Sequence, residues 1–228
     1  MMRVAEAFYS LQGEGVLVGM PSVFVRLAGC PFRCRWCDTA YAWDYSAGEE
    51  LDPAGIVERI DRWPCRHVVL TGGEPLMGPD LAVRPGLADL THRLRALGRH
   101  ITIETAGTLF VPDLACDLIS VSPKLGNSVS ATLHQTTGSA PEVLRRLIAA
   151  YPYQLKFVIE SARDIDEVRE VLGRLGPINP ERILLMPQAR TRAELLARSP
   201  AVAELCKETG FRLCDRLHIF LWGDERGR

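Results

Sequence analysis

Short apolar runs rich in β-branched residues alternate along the chain with segments whose apolar residues recur at helical spacing. The runs predict strands at Ser22–Ala28, Val68–Thr71, Ile101–Glu104, Ile119–Ser122, Gln154–Ile159, Ile183–Met186 and Leu217–Leu221, with a weaker one near Val4–Tyr9. The helical spacing predicts helices at Pro53–Arg62, Leu87–Leu97, Pro141–Ala150, Asp164–Leu175 and Arg192–Glu208. In Asp164–Leu175, Ile165, Val168, Val171, Leu172 and Leu175 fall on one face. Asp52-Pro53 reads as an N-cap followed by a proline at the first helical position. Gly98 and Gly210 stand where left-handed C-terminal caps belong.

Strands alternating with helices imply β-α-β units and a largely parallel sheet. The fold class is α/β, with a strand count near that of a partial (β/α) barrel and a chain short of the usual ~250 residues of the full eight-fold one. No internal repeat, low-complexity tract or long linker divides the chain, so residues 1–228 are expected to form a single domain. In such folds chemistry gathers at the C-terminal ends of the strands.

Composition narrows the function classes. Hydrophobic residues make up 47% of the 228 and charged residues 24%, as in a globular protein. Lys and Arg number 27 against 28 Asp and Glu, so the basic surplus of a nucleic-acid module is missing. No run approaches the ~20 apolar residues of a membrane span. The N-terminus lacks a signal peptide's apolar core, so the expectation is a cytoplasmic protein. Seven cysteines, an odd count in a non-secreted chain, favour metal or redox chemistry over a disulfide framework.

The cysteines concentrate in Gly29-Cys30-Pro31-Phe32-Arg33-Cys34-Arg35-Trp36-Cys37-Asp38-Thr39, directly after the strand at Ser22–Ala28. Three thiolates at C-x3-C-x2-C satisfy three irons of a cubane cluster and leave one iron open, whereas a cluster that only carries electrons usually has four cysteines. Two other readings stay open. A zinc site would need a fourth ligand, and Cys65, Cys116, Cys206 and Cys214 are scattered. Three cysteines packed as small hydrophobes would need none. Cys206 and Cys214 read as core residues.

Polar groups recur at strand ends. Thr71-Gly72-Gly73-Glu74-Pro75 offers a backbone that a ligand can approach closely and a carboxylate that accepts from an ammonium. Glu104-Thr105-Ala106-Gly107 and Ser122-Pro123-Lys124 read as ordinary turns singly and as the rim of a barrel mouth together. Leu11-Gln12-Gly13-Glu14-Gly15 is a surface turn or a donor–acceptor pair for the edge of a heterocycle. Alternation places Arg26 inward beside Phe24, where it wants either a substrate carboxylate or an internal salt bridge. Thr39 reads as a helix cap or as an oxygen ligand for Mg²⁺. His218, in an apolar run, reads as a core residue. Trp36, Trp43 and Trp222 either pack or stack on a heterocycle.

The three cysteines, with Trp36 before the last, resemble the radical S-adenosylmethionine (SAM) superfamily. There the open iron is chelated by SAM, whose cleavage yields a 5′-deoxyadenosyl radical, and a Gly-Gly-Glu-Pro motif holds the methionyl amino group. The whole chain resembles one branch, the 7-carboxy-7-deazaguanine synthase family of queuosine and deazapurine biosynthesis. The resemblance runs through Leu11–Gly15, Val25-Arg26, Cys37-Asp38-Thr39, Thr71–Pro75, Glu104–Gly107, Ser122–Lys124 and Leu217-His218-Ile219-Phe220-Leu221-Trp222-Gly223, and is weakest over Asn127–Glu142.

That resemblance implies an abbreviated, distorted partial barrel of the radical SAM type, a homodimer, and an external flavodoxin- or ferredoxin-like electron donor. It implies 6-carboxy-5,6,7,8-tetrahydropterin as the small-molecule substrate and a carbon–nitrogen lyase reaction. In that reaction the hydrogen at the carboxylate-bearing carbon is removed, the ring contracts, ammonia leaves and SAM is regenerated. By position it implies Cys30, Cys34 and Cys37 as ligands of a [4Fe-4S] cluster and Thr39 as a Mg²⁺ contact. Gly73, Glu74, Trp36, Asp38, Ser122, Pro123 and Lys124 correspond to cofactor contacts, and Leu11, Gln12, Gly13, Glu14, Arg26, Thr71 and His218 to substrate contacts. The alanine of Glu104-Thr105-Ala106-Gly107 replaces a residue often polar in the family, and the charged tail Asp224–Arg228 has no assigned role. Rival readings are a glycyl-radical activase, a ferredoxin-like electron carrier and a zinc-binding interaction module.

Overall fold

Strand alternation decides the architecture. Val23, Val25, Leu27, Val68, Leu70, Ile101, Ile103, Ile119, Val121, Leu155, Phe157, Ile159, Ile183 and Leu185 all belong to one buried apolar cluster. The residues between them are largely polar: Arg26, Thr71, Thr102, Glu104, Ser120, Gln154 and Lys156. The sheet therefore has an apolar face for helices to cover and a polar face that must turn around a cavity.

The computed structural model describes residues 1–128 and 140–228; part of the Asn127–Glu142 stretch lies outside them. Among the described residues nine strands form one sheet, in the order β3-β1-β2-β4-β5-β6-β7-β8-β9. The strands are β1 (Met2–Leu11), β2 (Pro21–Leu27), β3 (Glu49–Leu51), β4 (His67–Gly72) and β5 (His100–Thr105). They continue with β6 (Leu118–Val121), β7 (Tyr153–Ile159), β8 (Ile183–Pro187) and β9 (Arg212–Leu213). Pairing is parallel from β2 to β9, and β1 runs antiparallel to both β2 and β3. The ends of this series do not pair with each other, so the fold is a partial barrel.

Register aligns the polar face. Arg26 stands opposite Thr71, Glu104 opposite Ser120, and Ser120 opposite Gln154. The helices α1 (Pro53–Asp61), α2 (Leu87–Ala96), α3 (Pro141–Ala150), α4 (Asp164–Leu175) and α5 (Arg192–Thr209) end within one residue of the expected ranges. The Asp52 carboxylate accepts from Gly55 N as an N-cap, and Gly98 and Gly210 have left-handed φ of 69° and 74°.

One element differs from expectation. Leu217–Leu221 is not a strand but part of a short helix, α6 (Leu217–Trp222). Five apolar-rich residues are too few for periodicity to separate strand from helix. The segment buries one residue fully, Ile219, against Ala189 and Leu195, and Gly223 N closes the turn on Ile219 O at 3.0 Å. β1 is longer than the expected Val4–Tyr9 because it pairs on two sides. β3 and β9, of three and two residues, are too short to carry a pattern.

Candidate active site

A cavity of about 410 Å³ opens on the polar face, within the size range of small-molecule sites. Its walls come from successive strand ends: Arg26 of β2, Thr71 of β4, Glu104 and Thr105 of β5, Ser120 of β6, and Lys156 and Val158 of β7. The turns that follow these strands complete it, with Cys30–Thr39 on one side and Ser122 and Lys124 on another.

The cysteine loop is clamped onto the strand ends. Gly29 N donates to Ala42 O at 2.8 Å, Cys30 N to Trp43 O at 3.1 Å, and Glu74 N to Gly29 O at 2.8 Å. Gly73 lies against this loop: a Cβ there would sit 2.3 Å from Gly29 O and 2.7 Å from Cys30 Cβ. Arg84, buried, donates to the carbonyls of Ala28, Glu74 and Pro75 and so ties the loop to the Gly-Gly-Glu turn. Cys30, Cys34 and Cys37 all line the cavity. Burial pushes the Cys30 thiol up to about 12 and raises Cys34 too, as for thiols away from any metal. Among the described residues, no three His, Cys, Asp or Glu side chains form a site for a single metal ion. The thiols of a cubane bind separate irons, and three free thiols on one cavity wall fit that need. Trp36 Nε1 is buried with no protein partner at the same wall, a donor left for a ligand.

The loop after β1 supplies the floor. Gln12 is buried; its amide donates to Glu104 Oε1 at 3.1 Å and accepts from Glu14 N at 3.1 Å. Glu14 is gripped from two sides: Lys156 donates to Oε2, and Arg216 Nε to Oε1 at 2.9 Å. Burial opposes ionisation of Glu14, but Lys156 and Arg216 outweigh it and hold the carboxyl well below its usual range. Arg216 also donates to Asp38 Oδ2, which keeps Asp38 ionised against burial. Burial holds the His218 imidazole below its usual value, despite Glu14 at 3.9 Å. The floor thus carries two carboxylates and two cations, with a largely neutral imidazole at neutral pH.

Residues 24–221 match the Radical SAM superfamily. The 7-carboxy-7-deazaguanine synthase of Pyrobaculum aerophilum is 40% identical over 233 residues, which covers 100% of this chain and 97% of that protein. The synthase of the same name from Halobacterium salinarum is 40% identical, over 98% of this chain and 91% of that protein. The chain belongs to the 7-carboxy-7-deazaguanine synthase family of radical SAM enzymes. The crystal structure of QueE from Escherichia coli agrees in fold, with a TM-score of 0.70, 28% identity, and coverage of 95% of this chain and 94% of that one.

This member of the synthase family brings most of the residues singled out from sequence to one cavity. Leu11, Gln12, Gly13, Glu14, Arg26, Trp36, Asp38, Thr39, Thr71, Gly73, Ser122, Lys124 and His218 line it with the three cysteines. Glu74 and Pro123 do not. The Glu74 carboxylate turns into the protein and accepts from Leu76 N, Thr105 Oγ1 and Ala106 N at 3.1, 2.6 and 2.8 Å. Burial raises its pKa against those three bonds. Arg26 makes the internal salt bridge, its Nε donating to Glu6 Oε1 at 2.7 Å, and also lines the cavity. His218 is no core residue but faces Gly13, where a Cβ would sit 2.0 Å from its Nδ1. Of the tryptophans, Trp36 and Trp43 line the cavity and Trp222 does not.

The structure adds residues that sequence reasoning missed. Lys156 was signalled by alternation within Gln154–Ile159, where it falls on the face opposite Leu155 and Phe157. Arg216 had no local signal. Gly223–Arg228 also line the cavity, and Arg226 lies 4.1 Å over the Tyr41 ring while donating to Glu6 at 3.1 Å. Among the described residues no helix is long and apolar enough to cross a membrane.

Proposed function

We propose that this chain converts 6-carboxy-5,6,7,8-tetrahydropterin to 7-carboxy-7-deazaguanine with loss of ammonia. The observation that carries this reading is a single cavity with three free thiols on its wall and an ionised Glu14 beside Gln12 on its floor. The amidine-like edge of a pterin offers N–H donors, and Glu14 with the Gln12 amide offers matching acceptors. Arg26 faces the carboxylate that such a substrate carries. Thr71 and His218 line the same cavity.

Cys30, Cys34 and Cys37 would hold a [4Fe-4S] cluster. Gly73, Trp36, Ser122 and Lys124 would hold SAM, with Pro123 shaping the turn between the last two, Glu74 as the buried brace behind Gly73 and Asp38 fixed by Arg216. Thr39, whose hydroxyl lies 3.6 Å from Cys37 Sγ, would contact Mg²⁺. When bound, the cluster with SAM supplies hydrogen-atom abstraction, and Mg²⁺ supplies a cation for the substrate carboxylate. The protein contributes orientation. Glu14 and Arg26 fix two ends of the substrate, and holding the reacting carbon at a set distance gives most of the rate that positioning can supply.

We read residues 1–228 as one radical SAM core with substrate-binding extensions at both ends. It works as a cytoplasmic homodimer supplied by an external electron donor; sedimentation of the reconstituted protein tests the dimer. The substrate and Mg²⁺ assignments are tested by calorimetry of the reconstituted protein with SAM and 6-carboxypterin, an unreduced analogue. Binding strengthened by Mg²⁺ and lost in Glu14→Gln is expected. Binding unaffected by either change would remove both assignments.

A further inference from the structure

Glu14 follows β1, and Asp38 directly follows the last cysteine of the cluster loop. One side chain touches both. Arg216 donates from Nε to Glu14 Oε1 at 2.9 Å and from Nη2 to Asp38 Oδ2 at 2.5 Å, while Nη1 donates to the Ala189 carbonyl. Nη2 also stands 3.4 Å from His218 Nε2. The side chain is 8% exposed, so water competes little for these contacts. The backbone also ties the Arg216 segment to the loop after β1, with Leu217 N donating to Gly13 O at 2.9 Å.

We propose that Arg216 is a positioning residue that holds the substrate floor at Glu14 in register with the cluster loop at Asp38. The inference rests on the pterin reading of Glu14. Charge balance accounts for Arg216 at Asp38 but not for its second contact at Glu14, which Lys156 already neutralises from the other side. The guanidinium adds geometry: its planar fork fixes two carboxylates at a set separation, which the point charge of an ammonium does not. Loss of the fork leaves each carboxylate attached to its own segment but lets the segments shift against each other. A substrate misplaced by about 1 Å from the reacting group can cost roughly 100-fold in rate.

Arg216→Lys and Asp38→Asn cut the same link from its two ends, and the second keeps the cation in place if the first folds poorly. The holoenzyme, with SAM, Mg²⁺ and reductant, is assayed for deazaguanine product and for released 5′-deoxyadenosine. Both variants are expected to lower kcat with the pterin about 100-fold and KM little. Both should release about tenfold more 5′-deoxyadenosine per product, and the double variant should be no worse than the worse single one. A second readout needs no turnover. Adding 6-carboxypterin should shift the electron paramagnetic resonance spectrum of the reduced, SAM-bound cluster in the wild type. It should leave the spectrum unshifted in either variant, although calorimetry shows the analogue bound. Wild-type product ratios with a wild-type spectral shift in both variants, or additive losses in the double variant, would overturn the role of Arg216 alone. A wild-type enzyme that neither converts the pterin nor binds its analogue would overturn the substrate reading, and this inference with it.

Discussion

Gly73→Ala tests how the strand ends shape the cluster loop. The new Cβ would lie 2.3 Å from Gly29 O, 2.6 Å from Gly29 C and 2.7 Å from Cys30 Cβ, where ordinary contact begins near 3.4 Å. Two of those atoms are backbone and cannot rotate away. The Gly29 carbonyl must retreat by about 1 Å, which opens the 2.8 Å bond from Glu74 N and shifts Cys30 along with it. Overpacking costs about 1–3 kcal/mol and the weakened buried hydrogen bond about 1 more, so the fold should lose roughly 2–4 kcal/mol. Gly173→Ala is the control: it sits in α4 with nothing within 4 Å, and alanine there should be neutral or stabilising by up to about 1 kcal/mol. Denaturant midpoints and iron per chain after anaerobic reconstitution are the measurements. Gly73→Ala with a wild-type midpoint and full iron content would refute the reasoning.

Other expectations follow from the same geometry. Cys30→Ala, Cys34→Ala and Cys37→Ala should each lose the iron, whereas Cys65→Ala and Cys206→Ala keep it and lose only about 1 kcal/mol of stability; iron analysis separates them. Gly13→Ala should push His218 aside and lower kcat/KM for the pterin about 100-fold with unchanged far-ultraviolet circular dichroism. Glu14 and Asp38 titrate below their ordinary values of 4.5 and 3.8 in the folded chain, so the native state binds fewer protons than the unfolded one. Their stabilisation is complete above those values and lost as pH falls through and below them. Urea midpoints from pH 7 to pH 3 should fall more steeply in the wild type than in Glu14→Gln, and parallel curves would contradict the charge assignment.

Much of the barrel was legible because each strand writes its two faces in the sequence. Val23-Phe24-Val25-Arg26-Leu27 and Gln154-Leu155-Lys156-Phe157 show the covered face and the cavity face within four or five residues. The cysteine loop was legible because its three thiols are local. What was lost needs contact between distant segments. Arg216 meets Glu14 across 202 positions, in a turn with no periodic signal. Glu74 sits in a recognisable motif, yet only the fold shows that its carboxylate braces Thr105 and Ala106 instead of facing the cavity. Leu217–Leu221 misled because an apolar run of five residues is compatible with either periodicity, and the single anchor Ile219 settled it as a helix.

The most direct test of the substrate reading is one anaerobic incubation analysed by mass spectrometry. The reconstituted protein receives reductant, SAM, Mg²⁺ and 6-carboxy-5,6,7,8-tetrahydropterin. The account predicts 7-carboxy-7-deazaguanine over many turnovers without matching loss of SAM. Release of 5′-deoxyadenosine with the pterin intact would contradict it.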